Sequence, residues 1–409
     1  MEKNNKTLNV PHLRFPEFSG EWEICKVSDI LDFNCTNSLA WEQLEYGAYG
    51  LKNLHYGLIH NGLSTCVDTK DAILPVIKQN CMPKNYTECQ NGDVAFADAS
   101  EDTNDVAKCV EFTDCHADKV VCGLHTIHGR DKGDKTVVGF KGYAFSSQAF
   151  RHQIRRLAQG TKIYSISSKN FSECNIGIPS KEEQTKIATL LKLIEQRILT
   201  QKKIIKDLKK LKDAITHSHY RNELSHSPME DIGQCITQVS KKNKDAKIDR
   251  VLSVSNKYGF INQDEQFEDR EVASADISNY KVVHKGDFAY NPARINVGSV
   301  ARLQEFENGI VSPMYVCFTA KKELLPAYFE LYLSTSIFKH EMNKRLEGSV
   351  RLCLTYESLC NIKIALPEFN VQKDFVSKVS TILTKIKIEE KLLALYHNYK
   401  QYLLSQMFI

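Results

Sequence analysis

The sequence predicts an α+β fold in which two globular mixed α/β domains, related by pseudo-two-fold symmetry, are joined by two long antiparallel helices that form a coiled coil. The first observation behind this prediction is an internal repeat, in which Gly160-Thr161 corresponds to Gly348-Ser349 (348 − 160 = 188). The second is that each copy continues into a long helical pattern. A long period repeated only twice is typical of duplicated domains, since solenoids use units of roughly 20–50 residues and need at least three of them.

Composition bounds the class of protein. A chain of 409 residues with 42% hydrophobic and 25% charged residues is ordinary for a soluble protein of two or three domains. The net charge of +4 means that any nucleic-acid-binding surface must be a local patch. The sequence has no apolar run suited to a signal peptide or a membrane span. Thirteen cysteines, an odd number, are expected to be reduced thiols, and we expect a cytoplasmic protein.

The repeat continues at the same offset beyond the glycines. Phe171 corresponds to Leu359, Ile176–Pro179 to Ile364–Pro367, and Gln184 to Gln372. Gly92-Asp93 and Gly286-Asp287 correspond at a larger offset (286 − 92 = 194), so the loops between these points differ in length. Loops of unequal length on a shared scaffold are where recognition residues are expected to vary.

Two mixed segments, 1–179 and 226–367, carry short apolar runs bounded by turn residues. We predict strands at Asp93–Phe96, Val137–Phe140, Val251–Val254, Asp287–Tyr290 and Val311–Phe318, and helices at Phe150–Leu157 and Ala327–Leu346.

The segments 180–225 and 368–409 are predicted to be the long helices. Ser180 and Glu183 form a capping-box pattern at the start of the first. Its apolar seam is Ile187, Leu191, Ile194, Ile198, Ile205, Leu208 and Ile215, and that of the second is Phe375, Val379, Ile382, Ile386, Leu393, Tyr396 and Leu403. Polar residues interrupt both seams, Gln201 with Glu389 and Lys212 with Lys400. The seams favour a coiled coil, and the alternative is two separate amphipathic helices, each on its own domain.

If the two helices pair in antiparallel fashion, Gln201 and Glu389 lie at the midpoints of their seams and would meet there, which would fix the register. A helix over residues 187–215 is about 42 Å long at about 1.5 Å per residue. That length equals roughly twelve base pairs of B-DNA, about one helical turn.

Three segments together resemble a known family. The N-terminal segment reads Pro11-His12-Leu13-Arg14-Phe15-Pro16-Glu17-Phe18, then Gly20-Glu21-Trp22-Glu23. The first junction runs from Gly160 through Ile178-Pro179 and Glu183-Gln184 to Ile187, with Leu208–Leu211 near the end of the helix. The second runs from Gly348 to Pro367 and Gln372, without a Glu before Gln372, and ends in Tyr402–Phe408. In order and spacing these segments resemble the specificity subunits of type I restriction-modification systems.

The resemblance implies a role without catalysis. Such subunits read a bipartite double-stranded DNA sequence, one half-site for each of two target recognition domains, with the long helices as spacer. They bind two modification subunits, which use S-adenosylmethionine to methylate adenine at N6. With restriction subunits they direct DNA cleavage that depends on ATP and magnesium. The resemblance therefore implies that this chain itself holds no cofactor.

The motifs agree with the absence of catalysis. We find no G-x-x-x-x-G-K-[ST] phosphate loop and no G-x-G-x-x-G after a strand. Tyr290-Asn291-Pro292-Ala293 lacks the second proline and the aromatic ring of an amino-methyltransferase motif, and is interpreted as a turn. Two alternatives remain: a coiled-coil scaffold whose domains bind proteins, and a self-contained DNA methyltransferase.

Cys115, Cys122, His125 and His128, with Cys109 or His116 nearby, are the residue types that could form a zinc site. Their spacing fits neither half of a zinc finger, and buried cysteines are more often small core residues. The sequence therefore predicts no metal.

DNA-binding candidates are basic, amide and aromatic residues in loops. Arg suits guanine and Asn suits adenine, whereas Lys mostly neutralises phosphate. In the first domain they are Lys52, Asn53, Tyr56, Arg130, Lys132, Lys135, Arg151, Arg155 and Arg156; in the second, Asn256, Lys257, Tyr258, Asn291, Arg294, Asn296, Arg345 and Arg351. The Arg130 and Arg294 loops are the leading candidates, since each follows an apparent strand and combines arginine with amide or glycine residues.

Overall fold

The structure is a computed structural model that describes residues 9–116, 118–133, 135–263, 277–348 and 351–409. Two compact units divide the chain: Met1–Lys202 with Lys391–Ile409 (unit 1), and Lys203–Glu390 (unit 2). Both divisions fall inside the long helices, so each helix contributes to both units. The domain boundaries predicted at residues 179, 225 and 367 remain predictions, and Ser349 of the second repeat motif lies outside the described residues.

Unit 1 is a mixed α/β body. Its strands are β1 (Glu23–Lys26), β2 (Leu31–Asn34), β3 (Leu44–Glu45), β4 (Lys52–Leu54), β5 (Cys66–Asp68), β6 (Val76–Ile77), β7 (Val94–Ala97), β8 (Ala99–Ser100), β9 (Cys109–Asp114), β10 (Val120–Cys122), β11 (Thr126–Asp131), β12 (Tyr164–Ser165) and β13 (Asn175–Ile178). They form a five-stranded sheet of order β2-β11-β7-β9-β5, a four-stranded sheet of order β10-β4-β6-β3, and the pairs β1-β13 and β12-β8.

The helices of unit 1 lie around these sheets. They are α1 (Val27–Ile30), α2 (Tyr56–His60), α3 (Lys141–Ser146), α4 (Gln148–Leu157), α5 (Ser168–Ser172) and the first part of α6 (Lys181–His226). The main core joins aromatic residues of the domain, such as Phe96, Phe145 and Phe171, to Ile187 and Leu191 on α6.

Unit 2 repeats this plan, with fewer strands among its described residues than in unit 1. They are β14 (Met229–Asp231), β15 (Ile236–Val239), β16 (Val251–Ser255), β17 (Gly259–Asn262), β18 (Lys281–His284), β19 (Phe288–Tyr290), β20 (Val300–Arg302), β21 (Asn308–Val311), β22 (Val316–Ala320) and β23 (Lys363–Ala365). The described strands form sheets of order β15-β22-β19-β20 and β17-β16-β21-β18, and the pair β14-β23. Its described helices are the later part of α6, α7 (Ile232–Cys235), α8 (Pro326–Leu333), α9 (Ser336–Asn343), α10 (Tyr356–Cys360) and the first part of α11 (Phe369–Gln406).

Most predicted elements are confirmed, and three are wrong in an informative way. Val137–Phe140 is a turn in place of a strand, because Gly139 has a φ of +93° and Phe140 already starts α3. Val311–Phe318 is two strands, β21 and β22, because Ser312-Pro313 separates them. The helix over Ala327–Leu346 is two helices, α8 and α9, because the hydroxyl of Thr335 accepts a hydrogen bond from the amide of Phe338 and caps a new start.

A buried glutamine closes the junction between domain and helix in each unit. The side-chain amide of Gln184 donates to the carbonyls of Lys135 and Pro179, both at 2.9 Å, and its oxygen accepts from the amide of Val137. Gln372 repeats all three bonds with Glu323, Pro367 and Leu325. The partners correspond at the repeat offset (323 − 135 = 367 − 179 = 325 − 137 = 188). The repeat therefore preserves a hydrogen-bonded joint as well as a sequence pattern.

The glycines of the repeat are also explained by the backbone. Gly160 has a φ of +141°, and a Cβ there would lie 1.9 Å from the carbonyl oxygen of Ile163. Gly348 has a φ of +118°, and its Cβ would lie 2.3 Å from the carbonyl oxygen of Arg351. Both turns therefore favour glycine strongly.

The capping box predicted for α6 forms only in part. The hydroxyl of Ser180 accepts from the amide of Glu183 at 3.3 Å. The carboxylate of Glu183 is instead bound by Arg14, from Nε and Nη2, each at 2.7 Å. Arg14 belongs to the N-terminal segment, which occurs once, so Val371 at the equivalent place in the second copy has no such ion pair to make.

The long helices pair in antiparallel fashion within each unit, as predicted. In unit 1 the end of α11 packs on the start of α6, and Lys400 Nζ lies 2.5 Å from a carboxylate oxygen of Glu195. In unit 2 the start of α11 packs on the later part of α6, where the rings of Phe375 and His219 stack at 3.7 Å. The helices pack on each other as well as on their domains, which excludes the alternative of two separate amphipathic helices.

The predicted seam is confirmed over most of its length. Ile187, Leu191, Ile194, Ile198 and Ile205 are buried on α6, and Phe375, Val379, Ile386 and Leu403 on α11. The prediction that Ile215 belongs to the seam is wrong, because Ile215 is 36% exposed whereas Thr216 and Tyr220 are buried. A straight helix drifts relative to a seven-residue repeat, so by this point the buried face has moved one residue along the chain.

The polar seam positions are buried or paired inside their own units. Gln201 and Glu389 are both buried. Because they belong to different units, the predicted contact between them stays a prediction. The carboxylate of Glu195 accepts bonds from Lys400, from the amide of Thr65 and from the hydroxyl of Tyr143. Burial alone would raise the pKa of Glu195, but these donors outweigh it and hold that pKa below its usual value.

No helix in the described parts of the chain is long and apolar enough to cross a membrane. All thirteen cysteines are free thiols, as the sequence analysis expects.

Replacing Gln184 by alanine should destabilise unit 1. The change leaves one amide and two carbonyls without their partner, which costs about 2–4 kcal/mol if each group loses on the order of 1 kcal/mol. Urea unfolding followed by circular dichroism measures the loss. The control is Gln196→Ala, an exposed glutamine on the same helix, which should change the unfolding free energy by less than about 0.5 kcal/mol. Equal losses in both variants would contradict the proposed role of the joint.

Candidate nucleic-acid interface

The structure brings together six of the eight residues predicted in the second domain. The turn after β16 holds Asn256, Lys257 and Tyr258, and the segment after β19 holds Asn291, Arg294 and Asn296. The amide of Asn256 donates to the carbonyl of Val297 at 3.4 Å, which joins the two segments. We call these six residues the unit-2 recognition surface.

This surface is exposed and its polar groups are largely uncommitted. Tyr258 is 67% exposed and lies under the ammonium group of Lys257, 4.8 Å from the ring centroid. The guanidinium of Arg294 is exposed and forms no hydrogen bond or ion pair with the described residues. Asn291 turns its oxygen to the amide of Ala293 and its amide group to the sulfur of Met314. Cations, amides and an aromatic ring without strong internal partners can bind phosphates and base edges.

The other two candidates of unit 2 differ in their availability. Arg345 is paired with Glu341 one helical turn away, at 2.7 Å. Arg351 is exposed and precedes Leu354, whose amide donates to the carbonyl of Pro292. Of these two candidates, Arg351 is therefore the one whose segment is hydrogen-bonded to the segment after β19.

The first-domain candidates are mostly engaged in unit 1 itself. Lys52 lies on β4, with its Nζ 2.8 Å from Asp118. Asn53 is fully buried and accepts a hydrogen bond from Asn37, so it cannot read a base at the surface. Lys52 and Asn53 were predicted to lie in a loop, whereas both lie on strand β4.

Arg130, a leading candidate, is a structural residue of β11. Its Nη2 lies 2.8 Å from the buried carboxylate of Asp93 and 2.7 Å from the carbonyl of Glu88. Burial would raise the pKa of Asp93, but His128, Arg130 and the amide of Gln90 together hold it below its usual value. The prediction that Arg130 lies free in a loop is therefore wrong.

The remaining basic candidates of unit 1 form two groups. Lys132 and Lys135 lie beside the N-terminal strand, where they pair with Asp32 at 3.2 Å and Glu23 at 2.5 Å. Arg151 donates to the carbonyls of Asn104 and Val106, and Arg155 to the side chain of Asn104. Burial lowers the pKa of Arg151. Arg156 is exposed, and its guanidinium makes no bond with the described residues.

An aromatic cluster around Tyr56 was missed by the sequence analysis. The ring of His55 lies between those of Trp41, at 4.2 Å, and Tyr56, at 4.7 Å, and is tilted by 32° and 34° from them. Tyr56 also meets His60 and His125 edge-on. Trp41 is 43% exposed, and burial lowers the pKa of His55, which keeps that imidazole neutral. The histidines that flank Tyr56 in the sequence were the available signal.

Of the four residues considered for a metal site, two meet in a possible ligand cluster among the residues that the structure describes. His125 lies near the surface, with its Nδ1 3.2 Å from Asp98, and Cys115 lies at the end of β9. Cys122 and His128 do come together, but with Cys89 as the third member, a residue that spacing did not suggest.

Replacing Arg130 by alanine should lower stability and shift its pH dependence. Removing a charged hydrogen-bond donor from Asp93 costs about 2–3 kcal/mol. Because the folded pKa of Asp93 is lowered, its stabilising contribution is present above the unfolded value of about 4 and is lost as the pH falls through the folded value. The variant should therefore begin to lose stability at a higher pH than the parent. Thermal melts between pH 3 and pH 7, about one pH unit apart, measure both effects.

The matched control is Arg156→Ala, which removes the same charge from an exposed position. A parallel loss in that variant would show that charge alone, and not the bond to Asp93, is responsible.

Comparisons with known proteins agree with this architecture. Residues 117–210 match the family "Type I restriction modification DNA specificity domain". The chain is similar in structure to the type I restriction-modification S subunit from M. genitalium, with a TM-score of 0.56 and 16% identity over 98% of this chain and 99% of that one. It is similarly related to a chain from a structure of type I R-M complex assembly and conformational transition, with a TM-score of 0.56 and 13% identity over 96% and 98%. A comparison with curated proteins finds no match.

The identities are low, so the solved structures establish the fold, while the family match covers residues on both sides of the first junction. The expected fold is confirmed: nearly the whole chain shares the fold of the M. genitalium S subunit, and residues 117–210 match the type I DNA specificity domain, in agreement with the resemblance noted above on the junctions and helices.

Proposed function

We propose that this protein recognises a bipartite double-stranded DNA sequence as the specificity subunit of a type I restriction-modification complex. The observation that carries the proposal is the duplication: the same joint, with Gln184 or Gln372 at its centre, attaches a domain to a long helix twice in one chain. Two domains with different loops on a common joint suit a target of two different half-sites.

The unit-2 recognition surface supports DNA as the ligand. Arg294 and Lys257 supply positive charge on exposed turns, and Asn256, Asn291 and Asn296 supply amides that suit adenine. In unit 1 the exposed Trp41 and the Tyr56 cluster take the corresponding part, since aromatic rings can make apolar contacts with the thymine methyl group in the major groove. The two units thus offer different chemistry, which fits two different half-sites.

The partners follow from the same role. Two modification subunits would use S-adenosylmethionine to methylate adenine at N6, and restriction subunits would cleave DNA with ATP and magnesium. The chain itself would hold none of these cofactors and perform none of this chemistry. The thirteen free thiols support a reducing, cytoplasmic setting.

Exchanging residues 226–367 for the equivalent domain of another type I specificity subunit should change only one half of the target. Methylation mapping in cells that express the chimera with its modification subunits measures this. The reciprocal exchange of residues 1–179 is the control and should change only the other half. A chimera that alters both halves would contradict the assignment of one half-site to each domain.

Replacing Arg294 by alanine should weaken recognition of the second half-site without destabilising the protein. The loss of one base or phosphate contact costs about 1–3 kcal/mol, equal to roughly 5- to 150-fold in affinity. Fluorescence anisotropy with a cognate duplex, using the chain bound to its modification subunits, measures the change, and thermal melting checks the fold.

Lys285→Ala is the matched control, since Lys285 lies before β19, at the opposite end of that strand from Arg294, and pairs with Glu307. If both variants bound DNA like the parent, the unit-2 recognition surface would not be the reading surface.

A further inference from the structure

Two thiols and an imidazole meet in a buried part of unit 1. Cys122 lies on β10 and His128 on β11. Cys89 lies in the loop before β7, and its amide donates to the carbonyl of Val120 on β10. The ligand atoms of these three residues all lie within 4.8 Å of one another, and all three residues are buried. Nothing in the proposed recognition of DNA uses them.

The hydrogen bonds of His128 leave one ring nitrogen for a ligand. Nε2 lies 2.8 Å from a carboxylate oxygen of Asp93 that also accepts hydrogen bonds from Arg130 and from the amide of Gln90, so this oxygen is the acceptor and Nε2 donates to it. Nδ1 then has a free lone pair. It is buried and has no hydrogen-bond partner among the described residues. A neutral imidazole whose second nitrogen donates to a carboxylate is the arrangement of histidines that ligate zinc.

The sulfur atoms already stand at the separation that a metal ion requires. The Sγ atoms of Cys89 and Cys122 are 3.6 Å apart. In tetrahedral coordination, with Zn–S distances of about 2.3 Å, two sulfurs are about 3.8 Å apart. A disulfide would instead need a separation of about 2.05 Å, and would leave Nδ1 of His128 without a partner.

The surroundings fix these groups in place. Asp93 is itself bound by Arg130, and Arg130 also donates to the carbonyl of Glu88, next to Cys89. The side chain of Arg130 therefore holds both the carboxylate that binds His128 and the segment that carries Cys89. Cys89 and Cys122 otherwise belong to an apolar core with Leu54, Val110 and Phe112. In such a core an unpaired imidazole nitrogen costs free energy, which a bound ion would remove.

We propose that Cys89, Cys122 and His128 bind a zinc ion that ties the loop before β7 to strands β10 and β11. Thiolate and imidazole ligands suit zinc, and three protein ligands leave a fourth position for a solvent ligand. The ion stabilises unit 1, and this role does not depend on the DNA-recognition function.

The experiment measures zinc directly on the full chain. The protein is expressed in zinc-supplemented medium and purified without chelator under reducing conditions. Inductively coupled plasma mass spectrometry then finds about one zinc per chain. Titration of the metal-free chain with cobalt(II) gives the thiolate-to-cobalt absorption band in the near ultraviolet. Both signals are lost in Cys89→Ser/Cys122→Ser, and chelator lowers the melting temperature of the parent but not of that variant.

Cys317→Ser is the matched control, because Cys317 is an equally buried thiol in unit 2 that belongs to no such cluster in the described residues. It retains both zinc and the cobalt band. A parent chain without zinc and without the cobalt band, or with a Cys89–Cys122 disulfide, overturns the proposal even if the double variant does not fold. Retention of the band in a folded double variant overturns it as well.

Discussion

The rest of the structure depends on a single buried amide, used twice. In each unit the side chain of Gln184 or Gln372 bonds the first turn of a long helix to the carbonyl before that helix and to a loop of the domain. Glutamine suits this place because one side chain supplies two donors and an acceptor without a charge. This joint fixes the orientation of each domain relative to its own helix. Other loops of the domain can therefore change in sequence without changing that orientation.

The scaffold could be predicted because its signals are periodic or local. The helices, the seam and the glycine turns repeat at fixed spacing, and Gln184 corresponds to Gln372 at the same offset. The errors occurred where tertiary packing overrides a local pattern. Val137–Phe140 has strand composition but serves as the turn that receives Gln184, and Ile215 leaves the seam because the helix does not follow a strict heptad.

The candidate site was harder to predict, because a charge in the sequence does not show its partner. Arg130 and Lys52 look like free loop cations, yet Asp93 and Asp118 neutralise them from distant parts of the chain. The same separation in sequence hid the association of Cys89 with His128. In unit 2 the expected loop placement of Asn256 and Arg294 agrees with the structure, because both residues are exposed on turns where packing does not constrain their identity. Their contact with DNA stays a prediction.

Helix α6 runs without interruption from Lys181 to His226, and this continuity limits how the length of the helix can change in evolution. Each residue added to a helix advances the chain by about 1.5 Å and turns it by about 100°. A single insertion would therefore rotate everything beyond it far out of phase, whereas seven residues would restore the phase to within about 20° and add about 10 Å. On the proposed function, the gap in a two-part target should therefore vary among relatives in steps, while point substitutions in the loops would change the bases that are read.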